Sequence, residues 1–374
     1  MQVPVTIVTG FLGSGKTTLL NRLLAQPALA GAAVIVNELG EIGIDHLLIA
    51  APAENMVLLD TGCLCCTIRG DLVQTLSDLR DKRVSGAVPP FSHVVIETTG
   101  LADPVPLIQT IAADPDVGGA YRLHDVVTMV DAVNGAAQLD AQPESVKQAA
   151  VADALLVTKT DLAAPQAVRA LRGRLEALNP GADVHEVVDG RIDAAVLLRG
   201  NVYDPATKSV ELERWLKARR FAAEVTPKLT LPLRERAGSP ALSGGRSELG
   251  SPHAHDIRSF ALYHDRPIRR AGLMMWLDML AGLKGANLLR VKGVLNVEGE
   301  PVVVHAVQTV VHEPVQLEAW PSDDRRSRLV FITRGMEREE IERTFEAFDY
   351  APRSRGIDAA AYAQFVNAMK GFGK

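Results

Sequence analysis

The chain reads as an α/β protein, a parallel sheet with helices on both faces followed by a smaller mixed α/β unit. Three observations carry that expectation. Short β-branched runs alternate with longer helical patterns over roughly the first 200 residues. The first strand runs straight into a complete Gly-x4-Gly-Lys-Thr loop at Gly10–Thr17. The pattern then breaks near Phe221 and restarts beyond a stretch rich in Gly, Ser and Pro, Arg236–Asp256.

In chain order, strands are expected at Val3–Thr9, Ala33–Asn37, Val57–Asp60, His93–Glu97, Asp125–Asp131, Ala154–Thr158 and Val184–Val187. Several are almost wholly apolar, as strands become when helices cover both sheet faces. Lys16–Gln26 sets Leu19, Leu20, Leu23 and Leu24 on one helical face and stops at Pro27. Asp71–Arg83 does the same with Leu72, Val73, Leu76 and Leu79. A further helix is expected to begin at Pro104, with Asp103 as its N-cap. The second block predicts strands at Ile257–Tyr263, Ala286–Val297, Pro301–Val311, Pro314–Glu318 and Arg328–Thr333. Its helices are expected at Ile268–Leu283 and Glu337–Phe348. This divides the chain into a domain over 1–222, a flexible linker over 223–255, a second domain over 256–350 and a tail over 351–374.

Bulk properties narrow the function classes. Hydrophobic residues make up 47% of the 374, enough for a sizeable core. The formal net charge of −5 argues against a nucleic-acid partner held by bulk basic charge. Apolar runs are short and interrupted, so no membrane span is expected, and Met1-Gln2-Val3-Pro4 does not open a secretory signal. A cytoplasmic location follows as the expectation. All three cysteines fall in Cys63-Leu64-Cys65-Cys66. Such close neighbours cannot pair without strain, and a secreted disulfide framework would spread them along the chain.

The loop at Gly10–Thr17 is a phosphate cradle. Gly10, Gly13 and Gly15 let the backbone curl so that successive N–H groups, with that of Ser14, point inward toward an anion. The following helix start adds its dipole and the N–H groups of Thr17 and Thr18. Lys16 supplies charge to the β- and γ-phosphates, and the Thr17 hydroxyl a ligand for Mg²⁺. The sheet is therefore expected to be that of a P-loop NTPase. Val94-Val95-Ile96-Glu97-Thr98-Thr99-Gly100 is an apolar strand ending in an acid with glycine three residues later. Glu97 fits a second Mg²⁺ group, directly or through water, and Gly100 N–H a sensor of the γ-phosphate; a surface acid at a strand end is the plainer reading. Thr158-Lys159-Thr160-Asp161 closes a later strand. Its carboxylate matches the guanine N1–H and exocyclic amine, and the lysine stem lies over the ring, whereas adenine would leave the acid unpaired. Asn is the common first residue of this turn, and here it is Thr158.

The cysteines point to metal. Thiolates suit Zn²⁺ and borderline ions such as Co²⁺, but closed structural zinc sites draw on two separated pairs. One cluster with no second pair suits a transferable ion; buried unligated thiols and a redox role are the alternatives. Asn37–Asp45 carries Glu38, Glu41 and Asp45 with two glycines where P-loop GTPases place a switch. Glu38 and Glu41 could complete a site with Cys63, Cys65 and Cys66, or simply form an acidic turn. His253 and His255 read as solvated linker.

With these residues in view, the chain resembles the CobW family of P-loop GTPases. The resemblance rests on GFLGSGKTT at Gly10–Thr18, NELGEIGID at Asn37–Asp45, GCLCC at Gly62–Cys66, ETTGLADP at Glu97–Pro104, TKTD at Thr158–Asp161 and Leu289–Gly293 in the second block. Leu39 stands where phenylalanine is common, and the linker lacks the histidine tract some members carry. The resemblance implies a nucleotide-gated metal carrier. GTP and Mg²⁺ would order the segment Glu38–Asp45 and assemble a Zn²⁺ or Co²⁺ site with the cysteines, and hydrolysis to GDP would loosen it. Its partner would be a client metalloprotein or a cofactor-biosynthesis enzyme. A GTP-dependent activator of the nitrile-hydratase type, without stable metal carriage, is the alternative. A small-molecule kinase is a third reading, opposed by Thr158–Asp161. No glutamine stands out to position water and no arginine finger is identifiable, so a partner or a homodimer would supply the missing group.

Overall fold

The computed structural model describes residues 2–29, 31–36, 68–195, 257–285 and 287–349. The expected strand at Val57–Asp60, the candidate metal ligands Glu38, Glu41, Cys63, Cys65 and Cys66, and His253 and His255 lie outside the described residues.

The first sheet holds β1 (Val3–Gly10), β2 (Ala32–Val36), β3 (His93–Glu97), β4 (Tyr121–Asp131), β5 (Ala154–Thr158) and β6 (Asp183–Val187). They run parallel in the order β2-β3-β1-β4-β5-β6. Parallel order forces each connection to cross a face, and helices fill both. On one face α1 (Lys16–Leu24) lays Leu19, Leu20 and Leu23 against Val8, Val34, Val127 and Leu156. On the other, α2 (Ile68–Ser85) and α3 (Val105–Ala113) pack Leu72, Leu76, Leu79, Leu107 and Ile111 on Val5, Ile7, Ile35 and Ile96. After the one-turn α4 (Pro115–Gly118) and α5 (Gly135–Ala141), α6 (Pro143–Val151) and α7 (Pro165–Leu178) extend that face over β5.

The strand expectations hold within a residue or two for β1, β2, β3, β5 and β6, and β4 departs. It starts four residues before the expected Asp125, because polar Arg122, His124 and Asp125 break the apolar run that marked it. The third helix starts at Val105 rather than Pro104, but Asp103 still caps it by accepting the Val105 N–H at 3.0 Å. Among the described residues no helix is long and apolar enough to cross a membrane.

The second sheet is antiparallel. It contains β7 (Ile257–His264), β8 (Leu288–Val297), β9 (Glu300–Val307), β10 (Val310–Val311) and β12 (Ser327–Arg334) in the order β10-β9-β8-β12-β7, with β11 (Val315–Gln316) against β9. The single strand expected at Pro301–Val311 is a hairpin, turned at Gln308, which takes φ 51°. Helices α8 (Arg270–Lys284) and α9 (Arg338–Asp349) cover one face. Trp276 lies at their junction, edge-on to Phe331 and Phe345, with its indole N–H on Thr344 Oγ1 at 3.3 Å.

The other face of this sheet meets the first domain at two places. Val307 joins the apolar cluster of Leu107, Ile108 and Ile111 of α3, and Gln109 donates to Thr309 at 2.7 Å. Leu289 and Ile332 pack on Ala150 at the end of α6. Beside them Arg290 donates to Val151 O and to Asp153, and Lys292 Nζ lies 3.0 Å from the same carboxylate. These charges are buried, so they persist only as a set. Burial pushes the Asp153 carboxyl up, but Arg290, Lys292 and the Val126 N–H outweigh it and hold it at about 2. Burial and the neighbouring Arg290 together bring Lys292 down to about 8, against the pull of Asp153.

Candidate nucleotide site

The motif residues gather where β1, β3, β4 and β5 end, the edge at which parallel α/β sheets hold ligands. The loop leaves β1 with positive φ at Gly10, Gly13 and Gly15. At Gly15, φ is 95° at the helix N-cap, a conformation that strains any residue with a Cβ. The Ser14 N–H turns back to Phe11 O at 3.1 Å, and the buried Ser14 hydroxyl has no hydrogen-bond partner among the described residues. Lys16 Nζ lies over the loop, 2.9 Å from Gly10 O and 3.3 Å from Phe11 O.

The acid arrives from β3. Thr17 Oγ1 donates to Glu97 Oε1 at 3.4 Å. A hydroxyl and a carboxylate side by side at a helix N-terminus are the hard oxygen donors that Mg²⁺ takes, so the residues present fit that ion. Beyond Glu97, Thr98 ties β3 to β1 through Val8 O at 3.0 Å and Thr9 Oγ1 at 2.8 Å. This places Gly100 against the phosphate loop: a Cβ there would come 2.5 Å from Leu12 N, so only glycine allows the approach.

The third motif follows β5. Thr158 Oγ1 donates to Ser14 O at 2.8 Å, locking the turn to the phosphate loop. The departure from Asn thus keeps a cross-loop contact, made with a hydroxyl. Lys159 takes a left-handed conformation, φ 57°, and its ammonium meets Asp131 Oδ2 at 2.8 Å. Asp161 stands exposed one turn on, clear of the protein and able to meet a base edge.

Two residues that sequence reasoning missed complete the arrangement. Asp131, at the end of β4, also accepts from Val133 N at 2.8 Å and Asn134 Nδ2 at 3.0 Å. Burial opposes its ionisation, but Lys159 and these donors win and hold the carboxyl below its ordinary value. It thereby fixes the stem of Lys159. Its signal was an acid closing an apolar strand, as at Glu97. Gln148 on α6 donates to Gly100 O at 3.3 Å and Ala102 O at 2.9 Å, and had no local signal. Next to it Lys147 pairs with Asp103. Among the described residues no group of three or more His, Cys, Asp or Glu could hold a metal ion.

A parallel sheet with this phosphate loop, this acid and this Thr-Lys-x-Asp turn on one edge defines a P-loop GTPase, here joined to an antiparallel-sheet domain. The chain belongs to the CobW family. Residues 4–186 match the CobW/HypB/UreG nucleotide-binding domain, and residues 257–349 match the cobalamin synthesis protein cobW C-terminal domain. It is 32% identical over 345 residues to the zinc chaperone YjiA of Escherichia coli, covering 92% of this chain and 98% of that one. It is 30% identical to the zinc chaperone CobW of Pseudomonas aeruginosa, over 91% and 90% of the two chains. It is 36% identical to the zinc-regulated GTPase metalloprotein activator 1 of Schizosaccharomyces pombe, over 51% and 47%. The crystal structure of Zn(II)-bound YjiA GTPase from E. coli superposes with a TM-score of 0.66 at 26% identity, covering 93% of this chain and 99% of that one.

Proposed function

We propose that the protein is a GTP-hydrolysing metallochaperone. It would carry a transition metal on Cys63, Cys65 and Cys66, with Glu38 and Glu41, and release it to a client protein or cofactor pathway as GTP becomes GDP. The observation that carries the reading is the meeting of Thr17 and Glu97 at the phosphate loop, with the cysteines between them in the chain. Any change in how this loop and acid are held by nucleotide is thereby connected to the thiols along the backbone.

The chain's residues divide the work. Loop N–H groups from Gly13 to Thr18 bind phosphate oxygens, and Lys16 neutralises the β- and γ-phosphates. Thr17 and Glu97 would hold Mg²⁺, which would offset charge on the phosphates. Gly100 N–H meets the γ-phosphate. Lys159 covers the base and Asp161 accepts from its edge. The cargo is taken to be zinc on the strength of the named relatives, and cobalt falls within the same donor chemistry. Reduced thiols suit the cytoplasm. A client, or a second copy of the chain, would approach where Leu12 and Leu101 are exposed beside the phosphate loop, and would bring the group that speeds hydrolysis.

The test is an anaerobic zinc titration with GDP and with a non-hydrolysable GTP analogue, using Cys65→Ala and Cys66→Ala as controls. Linkage requires GTP to tighten zinc binding by the factor that zinc tightens GTP binding, about 5- to 150-fold for ordinary couplings. Equal zinc affinities in the two nucleotide states would sink the gating. The likeness to a metalloprotein activator favours a second reading, assembly of a client without stable carriage. Co-purification with a metal-free client would favour it.

A further inference from the structure

The loop after Glu97 rests on the side chain of Gln148. Gln148 is 1% exposed, and its amide nitrogen spans the carbonyls of Gly100 and Ala102. Its own amide oxygen is buried with no hydrogen-bond partner among the described residues. Leaving the acceptor of a buried amide unused is costly, so the unpaired oxygen calls for an explanation.

The helix that carries Gln148 is fixed along its length. Thr128 Oγ1 donates to Gln148 O at 2.8 Å. The Asn179 amide donates to Ala149 O, Ala150 O and Ala152 O at 2.9, 3.1 and 2.9 Å. Arg290 of the second sheet binds Val151 O. One residue before Gln148, Lys147 pairs with Asp103, which caps α3. The loop 100–104 thus stands between two helices, α3 and α6, that both touch the second sheet.

We propose that Gln148 is a positioning residue for GTP hydrolysis: it sets the orientation of the Gly100–Ala102 loop toward the γ-phosphate and ties that orientation to α6 and the C-terminal sheet. The inference rests on the reading of Gly100 as the γ-phosphate sensor. An amide is the side chain suited to this place. If the peptide after Gly100 turns over, a carbonyl is replaced by an N–H, and the unused Gln148 oxygen can accept from it. The side chain can therefore satisfy the loop in two orientations, whereas a purely donating or purely accepting group satisfies one.

The experiment pairs kinetics with hydrogen exchange on the full-length protein. Gln148→Met keeps the length and removes both hydrogen-bonding functions; Gln148→Glu keeps an acceptor and removes the donors. Both should lower kcat roughly 10-fold, with GDP affinity within about 2-fold of the parent. In the parent, amides of 98–104 and of 143–151 should gain protection together when GDP is replaced by a non-hydrolysable GTP analogue. In the variants the 143–151 response should be lost. An unchanged kcat, or a fall in kcat matched by a fall in GDP affinity, overturns the proposal, since a merely structural residue behaves that way. If a variant does not fold, the parent decides: loop protection without a response in α6 overturns it. If the 98–104 amides ignore the nucleotide altogether, the reading of Gly100 fails, and the role of Gln148 with it.

Discussion

The two ends of β4 and β5 do opposite things with the same residue type. At the C-terminal ends, Asp131 and Asp161 face a ligand edge, one steadying Lys159 and the other exposed. Toward the other edge, Asp125 midway along β4 and Asp153 just before β5 are buried beneath the second sheet near Arg290 and Lys292. Thr158 lies five positions along the strand from Asp153, roughly 17 Å. One edge keeps its polar groups ready for a bound molecule. The other buries its charges, with Arg290 and Lys292 both on Asp153 and burial pushing Asp125 toward its neutral form. Buried charge in this molecule is thus not by itself a mark of function: the more deeply buried cluster is the domain joint.

Breaking the joint should have the largest effect on stability. Arg290→Met leaves Asp153 buried with Lys292 alone, which should cost about 3 kcal/mol, measured by urea unfolding. Adding Asp153→Asn should deepen that loss, because it leaves Lys292 buried without its carboxylate. GDP affinity of the folded protein should stay within about 2-fold of the parent. A larger loss of affinity would mean that the two edges are not separate in function.

At the opposite edge the expectation inverts. Lys16→Ala should weaken GTP binding by roughly 100-fold, near 3 kcal/mol, while urea stability moves by less than about 1 kcal/mol. Isothermal titration with GTP and parallel unfolding curves check both. Comparable losses in the two measurements would mean that Lys16 supports the fold as much as the ligand.

The edges also differ in how far the sequence reveals them. Gly10–Thr17, Glu97–Gly100 and Thr158–Asp161 are contiguous, and each motif is a strand end whose chemistry is local, so the nucleotide edge is legible in the amino-acid sequence alone. What is not legible comes from distance. Gln148 reaches Gly100 across 48 positions, Lys159 reaches Asp131 across 28, and Arg290 reaches Asp153 across 137. In sequence Arg290 and Lys292 read as ordinary alternation on a strand, and nothing in the chain says that their face is covered. The same blindness hides the start of β4, where Arg122, His124 and Asp125 interrupt the apolar run that marks the strand. The metal ligands are read from residue type alone, and Glu38, Glu41 and the three cysteines lie outside the described residues.

Acid should act on the joint edge first. His93 is buried at the start of β3 and shares a 2.9 Å hydrogen bond with Thr6 Oγ1. Burial, then His124 and Arg122, lowers it to about 3. The unfolded chain takes this proton near pH 6.5, the folded chain only near 3. Below 6.5 the unfolded state therefore binds more protons, and stability falls as pH drops through that window. One such group contributes a slope of roughly 1.4 kcal/mol per pH unit. His93→Gln keeps a hydrogen-bonding side chain and should flatten the fall between pH 6.5 and 4, read from urea midpoints. An unchanged slope would place the acid sensitivity elsewhere, as in His305 and His312, which burial also lowers.

The smallest effect tests how finely the nucleotide edge is built. Thr158→Val removes the hydroxyl that bonds Ser14 O at 2.8 Å and keeps the shape of the side chain. The lost bond is neutral and buried, which is worth roughly 1 kcal/mol. If it only stiffens the fold, unfolding curves should shift by that amount and GTP affinity should hold. If it presets the phosphate loop against the base-reading turn, the same energy should appear as about a 5-fold weaker affinity for GTP and GDP alike. The second outcome is expected, because the bond joins the two loops proposed to meet around the nucleotide. Thr158→Asn, which restores a donor at this position, should return most of the affinity. A Val variant that binds as tightly as the parent would leave the two loops independently held, and this edge would then be a set of separate motifs.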